Sequence, residues 1–508
     1  MHDRWRGRSL VATAALLSLV LAPVAAGAAG RPAVPSSATG VRTHALALTL
    51  PELDAFVERR ADAAGLPGLA YGVVQDGAVV HTAAFGVAGA DGRPMTTTTV
   101  MNTASVGKTY TALAIAQLVA AGDLDLDARG QQHVPGFDLL DREAAAAVTV
   151  RHLLEHTSGL STADGNRPWL LDTGARRQDL LERIADLQPA HPPGTVTEDC
   201  NLNYVLLGAV VEAVSGRDYF TYLQDEVLGP LGMTSTFRTA ADARAAGRDV
   251  ADGYRYVLGL TRPADVPMPL AAEAAGMQWT TIEDLATYAA VLADHGTVAG
   301  RSVVSGVPGS EDVDYDVDWQ PATWAPDDGF GHSGGWVTYT AGLEVLPHHG
   351  FAVVMLANAN PAQAFPAEST FDVALDTMRV ANGWPEQGGS RGVGWYYAWA
   401  DVVIALLAFG LVLRWLRLPA RTARWARTGP RGRRLLVAAW TTLDGLAPLA
   451  AVTVLPLVAT GMDDPGEAWA RLWTSVPDLA GVLLVLAVGS LALGVAGTIR
   501  LRTGRAET

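Results

Sequence analysis

Apolar residues gather near the end of this chain in three stretches, about residues 396–416, 435–459 and 479–499, each long enough to cross a bilayer as a helix. A sequence built this way must satisfy two solvents, so it divides before any detail of its fold is considered. Between the first two stretches runs a basic loop with Arg417, Arg421, Arg424, Arg427, Arg431, Arg433 and Arg434. Between the second and third lie Asp463, Asp464 and Glu467, and Arg500, Arg502 and Arg505 follow the third. Arginine accumulates on the cytoplasmic side of membrane spans, which puts the basic loop and the tail inside and the acidic loop outside. Three spans ending inside require the preceding residues to lie outside.

The other end of the chain agrees. Arg4, Arg6 and Arg8 precede an apolar run from Leu10 to Ala22 and the small-residue stretch Ala26-Gly27-Ala28. This is the layout of a secretory signal peptide cleaved after Ala28. The expected organisation is a signal peptide over 1–28, a leader over 29–48, an exported domain over 49–385, a linker over 386–394 and three membrane helices over 395–508. Within the first span, Asp401 is expected near the outer interface, while Arg414 snorkels to the inner one. Asp444 lies deeper in the second span, where a charge is expensive. It reads either as an aspartate paired inside the helix bundle or as a proton or ligand site.

Residues 31–385 carry 20 Arg and 1 Lys against 43 Asp and Glu, a net charge of −22. Such acidity excludes nucleic acid as a partner and disfavours an anionic lipid surface. Cys200 is the only cysteine, so no internal disulfide forms and the exported domain must stand on its hydrophobic core. Pro51–Ala64 reads as an amphipathic helix. Gly68–Val74 and Ala78–Ala84 read as strands joined at Asp76-Gly77, a hairpin signal. Ser105–Ala121 and Asn203–Val214 read as helices, the second ended by Gly216. Gly342–Leu346 and Phe351–Leu356 read as strands again. Strands at both ends with helices between them predict an α+β fold, one sheet with helices on its faces.

The chemistry begins with an exclusion. The chain holds one lysine, Lys108, among 37 basic residues. Arginine serves wherever a plain positive charge suffices, so the lone amine is expected to share or move a proton, which a guanidinium does not. Ser105 stands three residues earlier, and a Ser-x-x-Lys spacing on a helix puts both side chains on one face, about 5–6 Å apart at Cβ. That is how an amine activates a serine nucleophile. Two other motifs compete. Residues 102–109, Asn-Thr-Ala-Ser-Val-Gly-Lys-Thr, approach a phosphate-binding loop but lack its first glycine, which the backbone nest requires. His152-Leu153-Leu154-Glu155-His156 matches a zinc signature in form, with no identifiable third ligand. No metal or organic cofactor is called for.

A wider set of motifs decides between them. Met101–Ala121 with Ala104-Ser105-Val106-Gly107-Lys108-Thr109, His152–Leu160, Pro193-Gly194-Thr195, Asn203–Gly208 and Gly331-His332-Ser333-Gly334-Gly335 occur in this order. Together they resemble the serine β-lactamase-related hydrolases, the class C β-lactamase, D,D-carboxypeptidase and esterase relatives of penicillin-binding proteins. The resemblance covers about residues 50–385. It implies an antiparallel sheet flanked by helices, a second helical lobe, and an active site at their junction. By the same resemblance Ser105 is the nucleophile and forms an acyl-enzyme, and Lys108 accepts or stabilises its proton. His332-Ser333-Gly334 takes the place of the family's Lys-Thr-Gly strand, and the N–H groups of Ser105 and Gly335 form the oxyanion hole. Asn201 matches the asparagine of the family's Tyr-x-Asn and is expected to hold Lys108 or the substrate amide. His156-Thr157-Ser158-Gly159 is a hallmark read as structural.

One position breaks the pattern. Tyr-x-Asn should fall at 199–201, where the chain has Asp199-Cys200-Asn201. In an extended segment residues 199 and 201 share a face, so Asp199 is expected to reach the site with Asn201. At about 4 Å an Asp–Lys pair attracts by roughly 4 kcal/mol at an effective dielectric near 20, and a carboxylate so stabilised is a poor base for a serine hydroxyl. Slow acylation, or turnover of activated esters alone, is the expectation. Cys200 reads as a small packed thiol. Two functions follow: a membrane-anchored extracytoplasmic serine hydrolase of small esters, amides or D-amino-acid cell-wall peptides, or a catalytically weakened relative that binds such a peptide or a partner protein and signals through its anchor.

Overall fold

The structure, a computed structural model, describes residues 46–503 except 168–169, 171, 295–296, 299–300, 303–319, 322–328, 364–366, 388–390, 427–464 and 476. The signal peptide, most of the leader, the predicted second span with Asp444 and the Gly388–Ser390 part of the linker lie outside the described residues.

Helix α1 (Leu50–Ala64) starts where Glu52 accepts the Thr49 N–H at 2.9 Å and stops at Gly65, whose φ of 76° is left-handed. Strands β1 (Gly68–Gln75) and β2 (Ala78–Gly86) form the expected hairpin, with positive φ at both Asp76 and Gly77. Helices α2 (Lys108–Ala121), α3 (Asn201–Ser215) and α4 (Ile282–Ala293) follow, then strands β3 (Phe330–Gly335), β4 (Thr340–Leu346) and β5 (Phe351–Ala357) and helix α5 (Thr370–Ala381). The sheet runs β2–β1–β5–β4–β3 and ends on the short strand Gln320–Pro321, every pair antiparallel. Its first and last long strands are neighbours, with Leu69 opposite Ala357. The ends of the domain therefore close on each other.

Both faces of the central strands are covered, which is why β1 and β5 read as unbroken apolar runs rather than alternating ones. Leu69, Tyr71, Val73, Val353 and Met355 pack with Leu53 and Val57 of α1 and Val373 and Met378 of α5. Ala70, Val74, Val354 and Leu356 join the larger core with Leu285 and Ala289 of α4 and the buried sides of α2 and α3. Arg60 locks α1 to the end of the domain. It donates to Glu368 and, at 2.7 Å, to Asp376, both almost fully buried.

The C-terminal region contains α6 (Val393–Ala426), α7 (Pro465–Ser475) and α8 (Pro477–Thr503). Among the described residues, Val393–Ala420 and Ala480–Ile499 are long and apolar enough to cross a membrane. The first helix starts earlier than the predicted span. Val393 and Tyr397 are buried against the domain, and the Tyr397 hydroxyl donates to the Tyr256 carbonyl at 3.3 Å. The helix thus grows out of the domain surface where a linker was expected.

Removing Arg60 leaves two buried carboxylates without their cation. Arg60→Ala is expected to lower stability by about 3–5 kcal/mol, read as a fall in the thermal midpoint by scanning calorimetry.

Candidate active site

Ser105 is presented by a strained turn. Short strand Met101–Asn102 pairs with Trp279–Thr280, and Asn102 then ties both sides of the turn together. Its side-chain oxygen accepts the Ala104 N–H at 2.8 Å, and its amide nitrogen donates to the Met277 carbonyl at 2.7 Å. The Met277 N–H donates to the Ala104 carbonyl at 3.1 Å. Ala104 and Met277 have φ of 44° and 79°, left-handed conformations that cost roughly 1–2 kcal/mol each. Their mutual bonds hold them there. The chain then makes a 3₁₀ turn, Ala104–Gly107, and enters α2 at Lys108. Glycines enclose the turn: a Cβ on Gly276 would lie 2.2 Å from the Ala104 oxygen, and one on Gly334 would lie 2.4 Å from the Thr103 oxygen and 3.1 Å from the Ser105 nitrogen.

Lys108 is fully buried, and its amine has three partners. Nζ lies 3.1 Å from Ser105 Oγ, 3.4 Å from Asp199 Oδ1 and 5.9 Å from the centre of the Tyr204 ring. Asp199 itself is 62 % exposed. Water therefore screens the pair toward the roughly 1 kcal/mol of a solvated contact, below the 4 kcal/mol expected at a lower dielectric.

His156 joins from the other side, with Nε2 3.5 Å from Asp199 Oδ1. Its Nδ1 accepts the Cys200 N–H at 3.1 Å. A neutral ring that accepts at Nδ1 carries its proton on Nε2, facing the carboxylate. The Asn203 amide nitrogen also lies 3.0 Å from Nδ1, and Asn203 Oδ1 accepts from Ser158 Oγ at 2.6 Å. The histidine read as structural is thus structural at one nitrogen and part of the site at the other. No spacing rule connects residue 156 to residue 199. A left-handed φ of 54° at His156, which no propensity foretells, makes the connection.

Asn201 departs from expectation. Cys200 is extended, but Asn201 opens α3, so residues 199 and 201 do not continue along one strand face. The Asn201 amide nitrogen donates to the Gly165 carbonyl at 2.9 Å, bracing that loop, where Lys108 or a substrate amide was the expected partner. His332 is buried on β3, and its Nδ1 donates to the Ser333 carbonyl at 2.7 Å. Strand alternation places His332 on the same face as Gly334, the face against Ser105. Ser333 and Gly335 point the other way, where a Cβ on Gly335 would meet the Asn360 amide nitrogen at 3.3 Å.

Neither competing motif forms its site. The helix holding His152 ends at Leu154, so His152 and His156 do not share a helical face, and among the described residues no cluster of three or more acidic, His or Cys side chains is placed to hold a metal. Residues 101–102 are strand, leaving no phosphate-binding nest ahead of Gly107. Cys200 is buried, and burial pushes its thiol up to about 12, so it is no nucleophile.

Sequence reasoning also missed Glu273, which accepts both arms of Arg238 at 2.6 and 2.7 Å. Burial pushes its carboxyl up to about 7 against the opposing pull of Arg238. The pair lines a cavity of about 510 Å³ with Val266, Met268, Met277 and Tyr339. Met277, bonded to Ala104, connects this cavity to the Ser105 turn.

Residues 53–377 match the profile of the family described as Beta-lactamase. The chain is 32 % identical over 327 residues to penicillin-binding protein 4 of Amycolatopsis lactamdurans, covering 59 % of this chain and 83 % of that one. It is 25 % identical to the unguisins hydrolase ungD' of Aspergillus campestris, over 65 % of this chain and 67 % of that protein. Two solved structures share the fold. The octameric penicillin-binding protein homologue from Pyrococcus abyssi has a TM-score of 0.56 and 24 % identity, over 68 % of this chain and 79 % of that one. The D-alanine carboxypeptidase AmpC from Burkholderia cenocepacia has a TM-score of 0.52 and 21 % identity, over 66 % and 99 %.

Two outcomes follow from the geometry. A methyl group at residue 334 must push the strand off the Ser105 turn, so Gly334→Ala is expected to slow fluorophosphonate labelling of Ser105 about a hundredfold. Glu273 holds its proton more tightly in the folded protein than in the unfolded chain, where glutamate titrates near about 4.3. Its contribution to stability is then full at low pH and lost as the pH rises through about 7. Across pH 4.5 to 7 the stability of wild type relative to Glu273→Gln should fall by about 3 kcal/mol, measured by urea unfolding at each pH.

Proposed function

Because the chain belongs to the beta-lactamase family of serine hydrolases, we propose that it cleaves esters or amides through an acyl-enzyme on Ser105. The observation that carries this reading is the 3.1 Å contact between Ser105 Oγ and the buried amine of the only lysine in the chain. Ser105 Oγ attacks the substrate carbonyl carbon as its proton passes to Lys108 Nζ. The tetrahedral oxyanion faces the N–H groups of Ser105 and Gly335. Collapse breaks the bond to the alcohol or amine, which leaves with the proton. Water then cleaves the acyl-enzyme, with Asp199, open to solvent beside Lys108, as the carboxylate that orients it. His156 holds Asp199 in place, while His332 lines the β3 side of the cleft.

Asp199 keeps the second reading alive, since it stands where the family has tyrosine. Asp199, 3.4 Å from Lys108 Nζ, attracts the amine away from Ser105. Acylation is therefore slow and fastest on activated esters. The exposure of Asp199 limits that attraction, which favours an enzyme over a relative that only binds. Relatives named as penicillin-binding proteins and as a D-alanine carboxypeptidase support peptides ending in D-amino acids as one substrate class, and the named hydrolase supports a wider range.

The catalytic domain is held outside the cytoplasm by a multi-pass anchor with the C-terminus inside. Arginine placement supports this topology. So do the exposed apolar flanks of α6 and α8, with Leu406, Phe409, Val485 and Val488 more than half exposed.

Labelling with a fluorophosphonate or a fluorescent penicillin should be abolished by Ser105→Ala and reduced at least about a hundredfold by Lys108→Arg. Asp199→Tyr should speed turnover. A wild-type chain that never labels refutes the enzyme in favour of the binding relative, and slower turnover in Asp199→Tyr overturns the role given to that position.

A further inference from the structure

Two elements that flank the candidate site also grip the anchor. On one flank, Arg167 donates to Glu467 of α7 at 2.6 Å and to Asp164 at 3.1 Å. Gly165, in the same turn, accepts the amide of Asn201, two residues from Asp199. Two residues span at most about 7 Å, so the turn at 164–167 relays α7 to the start of α3, two residues from Asp199. On the other flank, a hairpin of Tyr254–Val257 and Leu260–Pro263 reaches the start of α8, where the Leu258 N–H donates to Asp478 at 2.7 Å. The chain leaving that hairpin, from Pro263 to Leu270, lines the cavity beside Met277.

The hairpin tip is built for an apolar surroundings. Leu258 and Gly259 have φ of 50° and 74°, the two-residue turn that selects asparagine or glycine at both positions. A leucine at the first position is strained. Leu258 is nevertheless 54 % exposed and Leu260 is 56 % exposed. In water this placement has no benefit. Exposed Trp395 and Trp399 lie at the start of α6 and Trp473 lies just before the start of α8, and such aromatic residues mark a bilayer's headgroup layer. The leucine tip, these tryptophans and both braces of the site thus converge at the outer ends of α6 and α8.

We infer that the substrate is an amphiphile met at the membrane surface: an ester or amide whose carbonyl reaches Ser105 from the headgroup layer and whose apolar chain remains in or near the bilayer. This rests on the serine hydrolase reading above. On this reading the leucine tip seats the domain on the lipid, and the Arg167–Glu467 bond and the bond of Leu258 to Asp478 hold both flanks of the Ser105 site to the helices that enter it.

The test uses the full chain in phosphatidylcholine vesicles with p-nitrophenyl acetate and p-nitrophenyl laurate. The laurate should be cleaved with a kcat/KM at least about tenfold above that of the acetate. Leu258→Asn with Leu260→Thr suits the turn better than the native pair, so the fold is kept. This variant should lower laurate hydrolysis about tenfold by removing two apolar side chains from the lipid, with acetate hydrolysis unchanged. Acetate cleaved as fast as laurate, or a double variant that loses nothing on laurate, overturns the inference and leaves the hydrolase standing. A wild-type chain that cleaves neither ester and shows no Ser105-dependent labelling overturns the hydrolase reading itself.

Discussion

A buried amine must be answered by partners, and the answer given to Lys108 organises the site. Its three contacts come from separate places: Ser105 from the turn before α2, Asp199 from the approach to α3, and the face of Tyr204 from inside α3. Satisfying one amine therefore fixes α2 against α3 and the 3₁₀ turn against both. Removing a charge from water is costly unless it is paired and hydrogen-bonded. The same cost that would make a buried lysine a liability makes this one a locator. Nothing in the lobe can shift without leaving the amine short of a partner.

The sheet supplies the opposite wall, and close approach is its means. β3 can touch the Ser105 turn because Gly334 has no side chain where the Thr103 carbonyl stands, and Gly276 makes room for the Ala104 carbonyl in the same way. Asn102 bonds to both strained residues, so the energy stored at Ala104 and Met277 is offset locally. Strain, glycine and a two-armed amide act together, and the nucleophile is held rigid before any substrate arrives.

Much of this was legible in the sequence. The hairpin at Asp76-Gly77, the apolar runs of β4 and β5, the helix stop at Gly216 and the Ser105–Lys108 pair each follow from rules local to a few residues. The antiparallel pairing of β1 with β5 was not legible, since nothing in either run names a partner about 280 residues away. Nor was the role of His156. A histidine four residues after another suggests a helix face, but the helix ends at Leu154 and a left-handed residue swings the ring toward Asp199. The bond made by Asn201 was hidden for a related reason. The family motif gives its identity, and only the start of α3 decides that its amide points at Gly165.

The C-terminal helices add a constraint that hydropathy alone does not express. Apolar stretches mark α6 and α8 as long enough to cross a membrane, without stating how the rest of the chain is held to them. Buried Val393 and Tyr397 join α6 to the domain directly, and a carboxylate near the start of α8 caps the hairpin tip at Leu258. A second brace, Arg167–Glu467, joins α7 to the domain. A tethered domain on a slack linker samples the whole volume its linker allows, whereas a braced one samples a single orientation. Rigid seating discards reach into the surrounding water. It holds the Ser105 site in one position relative to the starts of α6 and α8.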